Sequence, residues 1–140
     1  MKKIAVVYWS GTGNTEAMAE AVLKGAQSAG ASAALFSAGS FSAEEVDHYD
    51  ALAFGCPAMG SEMLEDSEFE PMFNECRPLL KGKSIALFGS YGWGDGEWMR
   101  SWEDDCRGIG AILACDNVIC NDAPDDAALE GCKALGAALA

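Results

Sequence analysis

Residues 6–16, VVYWSGTGNTE, restrict the possible folds of this chain more than any other stretch. Residues 4–9 form an apolar run rich in β-branched and aromatic side chains, the composition of a strand buried on both faces of a parallel sheet. The run enters a loop in which Gly11 and Gly13 permit a sharp turn and a close approach of backbone to ligand. A helix follows, with Ala17, Met18, Ala21, Val22 and Ala26 spaced to face a sheet. Its N-terminus offers unpaired amides and the positive end of the helix dipole. The hydroxyls of Ser10, Thr12 and Thr15 and the amide of Asn14 can complete an anion shell. No Lys or Arg lies between Lys3 and Lys24, so the pocket is read as one without a cation.

That absence sorts the known phosphate loops. A P-loop needs Lys and then Ser or Thr after its last glycine, whereas Gly13 is followed by Asn14, Thr15 and Glu16. A dinucleotide fingerprint needs a third small residue where Glu16 stands. A terminal monophosphate wrapped by amides and hydroxyls fits best, and a plain βα turn with a Ser or Thr cap is the other reading of these residues.

Beyond this unit the pattern repeats. Strands are expected near residues 3–9, 32–37, 50–56, 84–90 and 111–120, with helices near 14–29, 67–78, 98–109 and 125–139. A short helical segment is expected over 43–48 with Ser42 as its cap. Five strands alternating with helices predict an α/β, doubly wound parallel sheet that binds ligands at the carboxyl ends of its strands. At 140 residues, with no linker or low-complexity tract, residues 1–140 read as a single domain.

Charge and cysteine usage exclude other classes. Nine basic against 22 acidic residues give a formal net charge of −13, and residues 25–76 hold ten Asp or Glu with no Lys or Arg. Nucleic acid is excluded as a partner on this ground, and the charge reads either as solubility alone or as electrostatic steering towards basic proteins. No apolar stretch reaches the length of a membrane span, and the N-terminus runs directly into a strand with no cleavage-site pattern. The chain is therefore expected to be cytoplasmic, without membrane attachment. The six cysteines form no CxxC pair and read as reduced structural thiols. His48, the single histidine, lies among acids and reads as a surface residue. Trp9 and Trp98 read as packing, and Glu65, Asp66, Glu68 and Glu70 as a solvated acidic face suited to partner docking.

Three loops should converge at one sheet edge: those after the first, third and fourth strands. The second reads GCPAMGSEMLED and sets Met59 and Gly60 beside the acid Glu62; the third, GSYGWGDGEW, holds Tyr91 and Trp93 among four glycines. Large aromatics on a glycine-rich loop at a ligand edge suit stacking on a flat ligand.

The motifs YWSGTGNTE, AMGSEMLED with SEFEP after it, and FGSYGWGDGEWM together resemble the flavodoxin family, in its short-chain clostridial type. The resemblance covers residues 2–139, and residues 115–124 lead into the last helix without the inserted loop of long-chain members. It implies a five-stranded sheet of order 2-1-3-4-5 with helices on both faces, and non-covalently bound FMN. By the same resemblance, Ser10, Gly11, Thr12, Gly13, Asn14 and Thr15 wrap the phosphate, and Trp93 and Met59 cover the outer and inner flavin faces. Ala58 and Ser61 lie in the inner-face loop, and Glu62 accepts from flavin N3. Ser90, Tyr91, Gly92, Gly94 and Asp95 complete the second flavin loop, and Asn121 lies near the flavin edge. The Gly60–Ser61 peptide can flip so that the Gly60 carbonyl accepts a hydrogen carried by N5 of the reduced flavin.

The implied function is a low-potential one-electron carrier, not an enzyme. It is expected to act as a monomer, shuttling electrons between redox enzymes through their basic patches, with oxidoreductase donors and reductase or hydrogenase-type acceptors. The alternative is a flavodoxin-like NAD(P)H-dependent quinone or flavin reductase. A receiver domain fits less well, because Trp9 and Ser10 stand where an acidic cluster would be required. No metal ligand set is expected.

Overall fold

The computed structural model describes residues 2–60 and 63–140. Strands β1 (Lys3–Tyr8), β2 (Ser32–Ser37), β3 (Ala51–Gly55) and β4 (Ser84–Tyr91) pair in parallel in the order β2-β1-β3-β4. Two short strands, β5 (Ile112–Leu113) and β6 (Val118–Asn121), then share the far edge of β4. Helices α1 (Asn14–Ser28), α2 (Phe69–Cys76), α3 (Glu97–Gly108) and α4 (Asp126–Leu139) connect and cover the sheet.

Each central strand alternates its side chains between two buried cores. Ile4, Val6, Ala51, Ala53, Ala86 and Phe88 face Met18, Val22 and Ala26 of α1 and Cys132, Leu135 and Leu139 of α4. Ala5, Val7, Leu52, Phe54, Ile85 and Leu87 face Phe69, Met72 and Phe73 of α2 and Trp98, Met99 and Trp102 of α3. The sheet is thus covered on both sides. Helices α1 and α4 cross closely because Gly25 and Gly136 lack side chains: a Cβ on Gly25 would stand 2.0 Å from the Lys133 carbonyl oxygen, and one on Gly136 2.1 Å from that of Val22.

Two expectations change in detail. The fifth strand, expected as one run over 111–120, is divided. Ile112 and Leu113 pair with Ser84 and Ile85, and Val118–Asn121 with the end of β4, so four residues, 114–117, oppose only Ala86 and Leu87. Such an expansion suits Asp116 and Asn117, which are poor strand formers. The segment Ala43–His48 is a 3-10 helix, and Ser42, though at its N-cap, makes no capping side-chain bond.

Strand β1 lies between β2 and β3, so the connections leaving β1 and β3 run to opposite faces of the sheet. The carboxyl ends of the two strands thereby open a crevice, the usual ligand position in such a fold.

Candidate functional site

A cleft of about 240 Å3 occupies that crevice, lined by residues of the β1, β3 and β4 loops together with Asp122 after β6. Gly11, Thr12 and Asn14 come from the first loop, Ala58 and Met59 from the second, and Ser90, Tyr91 and Gly92 from the third. These eight were all expected at a ligand site. Trp9, Pro57 and Asp122 also line the cleft and were not.

The first loop holds its shape through its own polar groups. The Gly13 amide donates to Ser10 Oγ at 3.0 Å, and Gly13 is the N-cap of α1 at φ +95°, a conformation that favours glycine. No side chain caps the helix among the described residues. The alternative reading, a plain turn with a Ser or Thr cap, is thus not what the helix shows: its N-terminus stands uncapped by any side chain beside the cleft. Thr15 turns inward: it is 1% exposed, and its Oγ1 lies 3.2 Å from the buried Ser90 Oγ. Trp9, expected in packing, does pack in part against the core beneath α2 and α3, and it also borders the cleft and donates from Nε1 to Glu68 Oε1 at 3.1 Å. Trp98 does pack: it is buried, donates to the Cys56 carbonyl at 3.2 Å, and lies against Tyr91 with ring centroids 5.5 Å apart.

The second loop is fastened on both sides. The Ala58 amide donates to the Ser90 carbonyl at 3.0 Å, and that of Met59 to the Met63 carbonyl at 2.9 Å. Ser61 and Glu62 lie outside the described residues. Gly60 is exposed, with open space around the position a Cβ would take.

Glu65 requires a correction. Rather than joining a solvated face it is 4% exposed. Its carboxylate accepts from the amides of Ser67, Glu68 and Phe69, each at 2.8 Å, and from the Ser67 hydroxyl. Burial alone pushes the carboxyl up, but these hydrogen bonds overcome it and hold the group at about 2. The SEFEP motif is in part the cap that this acid needs: the amides opening α2 find their acceptor in its side chain. Asp66 and Glu68 are exposed, and Glu70 is half-buried.

In the third loop, Trp93 is 63% exposed and stands outside the cleft lining. Asp95 pairs with Arg100, Oδ1 to Nη2 at 3.0 Å, and Gly94 adopts φ +90°. Asn121 ends β6 opposite Tyr91, and its neighbour Asp122 enters the cleft at φ +56° with its amide on the Tyr91 carbonyl. No Lys or Arg lines the cleft among the described residues, and no group of His, Cys, Asp and Glu among them could hold a metal. His48 is exposed and close to Glu45. All six cysteines are free; burial pushes the thiols of Cys56, Cys106 and Cys132 up to about 12.

A doubly wound sheet with a cleft at its switch point, lined among the described residues by no Lys or Arg, is the arrangement of a ligand-binding α/β protein suited to a mononucleotide. Comparison with known proteins narrows the class. The Flavodoxin family model matches residues 6–136. The chain is 47% identical to a flavodoxin of Megasphaera elsdenii over 98% of both chains. It is 46% identical to one of Clostridium beijerinckii over 87% of this chain and 88% of that one. The solution structure of the two-electron reduced Megasphaera elsdenii flavodoxin superposes with a TM-score of 0.90 at 46% identity, over 97% of each chain. The chain belongs to the flavodoxin family. With membership goes its function as an FMN-binding electron carrier and not an enzyme; the similarities lend no support to a reductase. Flavodoxins pass electrons to partner redox proteins. No helix among the described residues is long and apolar enough to cross a membrane.

Proposed function

We propose that residues 1–140 form one FMN-binding domain that carries single electrons at low potential, with the FMN held in the cleft between the β1, β3 and β4 loops. The observation that carries this reading is the chemistry of the cleft. The backbone of Gly11 and the side chains of Thr12 and Asn14 line the cleft at the N-terminus of α1, which no side chain caps, and this suits a phosphate, while Met59, Tyr91 and Trp9 supply apolar walls for a ring. Gly13 and Thr15 shape the phosphate loop from within, the latter through Ser90. Trp93, exposed on a glycine-rich loop, is the outer ring cover, with Gly94 and Asp95 completing its loop. Gly60, with Ser61 and Glu62 after it in the sequence, is assigned to the flavin edge, and Asn121 stands beside Asp122 at the far side.

Bound FMN supplies the redox centre; the chain sets its potential. The described lining offers one acid, Asp122, and no cation, so extra negative charge on the ligand is disfavoured and the potential is kept low. The overall charge of −13 supports docking onto basic patches of partner enzymes, and a monomer suffices for that task. Six free thiols support a reducing compartment such as the cytoplasm.

Purification followed by stepwise reductive titration tests the reading. The expected result is a yellow protein with one FMN per chain and two resolved one-electron couples, the second well below that of free FMN. A colourless protein that leaves FMN fluorescence unquenched overturns it.

A further inference from the structure

The β3–α2 loop closes on itself through two residues whose side chains do not reach the cleft lining. Cys56, at the end of β3, is fully buried, and its sulfur accepts from the Glu65 amide at 3.4 Å while lying 3.5 Å from the Pro57 carbonyl. Its raised thiol stays protonated at neutral pH, so the sulfur acts as a neutral acceptor. Glu65 in turn fixes the first turn of α2 through three amides and the Ser67 hydroxyl. The Met59–Met63 backbone bond lies nearer the tip. The loop is therefore fastened at three levels: α2 to Glu65, Glu65 to Cys56, and Met63 to Met59.

We infer that Cys56 and Glu65 form a positioning pair that fixes the geometry of the Gly60 peptide and so tunes the redox potential from behind the site. The inference rests on the function proposed above, in which Gly60 faces the flavin. A Gly60 carbonyl that is well placed to accept from N5 of the reduced flavin favours the reduced form; a loosened loop places it less often. In Glu65→Gln the amide group retains one acceptor oxygen and turns an NH2 towards donors, losing two of the four bonds. Cys56→Ala removes the acceptor for the Glu65 amide, whereas Cys56→Ser retains one.

The test combines hydrogen exchange on the apo chain with potentiometry of the FMN-loaded chain. The Glu65→Gln and Cys56→Ala variants should exchange the Met59 and Glu65 amides at least tenfold faster than wild type. Their first one-electron couple should move negative by about a tenfold change in the relative affinity for the two redox states, ~59 mV. Cys56→Ser should lie between Cys56→Ala and wild type in both measurements. Should Glu65→Gln not fold, the two Cys56 variants carry the same comparison. Wild-type potentials in a variant that is merely less stable overturn the inference and assign the pair a structural role alone. Failure of the wild-type chain to bind FMN counts against the proposed function instead, and the apo exchange rates still judge the pair.

Discussion

Thr15 Oγ1 and Ser90 Oγ lie 3.2 Å apart, both buried, and join the first turn of α1 to the end of β4 beneath the cleft. Two loops far apart in sequence thus share one hydrogen bond. Thr15→Val leaves the Ser90 hydroxyl without that partner in a buried position, a loss of about 1–3 kcal/mol, and Ser90→Ala does the same to Thr15. Removing both at once should cost less than the sum of the single losses, because neither hydroxyl is then stranded. Urea unfolding of the four apo chains gives the coupling directly, and additive losses would show the contact to be energetically idle.

Glu65 makes a prediction for pH. Its carboxyl stands at about 2 in the folded chain against an ordinary 4.5, so the hydrogen-bonded carboxylate favours the folded state once it is ionised. The sign follows: its stabilisation, about 3 kcal/mol, is present above pH 4.5 and is lost as pH falls towards 2. The stability gap between wild type and Glu65→Gln should therefore be widest near neutrality and shrink through that window. Denaturant unfolding from pH 7 down to pH 2.5 measures it. A gap that stays constant with pH contradicts the assignment.

The same residue marks where the sequence could be read and where it could not. The sheet, its helices and the three converging loops followed from apolar runs of strand length and from glycine-rich turns, because those signals are local. Glu65 sits among five other acids within residues 62–75, and nothing in that run distinguishes the one whose chain folds back onto three amides. Trp9 carried the signal of a core aromatic, and its place at the cleft depends on Glu68, 59 positions away. The split of the fifth strand depends on how β4 divides its edge between β5 and β6, which is a property of pairing and not of the 111–120 run itself.

Trp93 offers a separation between folding and binding. At 63% exposure its ring contributes little to the folded apo chain, so Trp93→Ala should change apo stability by no more than about 0.5 kcal/mol. If the ring covers the flavin, the same substitution should weaken FMN binding by about 1–3 kcal/mol, the scale of stacking between an aromatic side chain and a flat heterocycle. Trp93→Phe should recover part of the difference. Fluorescence titration of the apo variants with FMN gives the affinities, and an unchanged dissociation constant removes Trp93 from the site.

Asp122 lets charge be changed with little change of backbone. It occupies the left-handed region at φ +56°, which asparagine also tolerates, so Asp122→Asn should keep the turn and its amide bond to the Tyr91 carbonyl. What it loses is the one carboxylate among the described residues lining the cleft. Reduction adds negative charge to the bound ligand, and removing a nearby like charge lowers the cost by something on the order of 1 kcal/mol. The second couple should move positive while the first, in which N5 takes up a proton with the electron, stays nearly unmoved, and the shift should narrow as salt is added. Potentiometry at low and high ionic strength decides between this and a neutral role: an unmoved second couple at low salt shows that the potential is set elsewhere in the cleft.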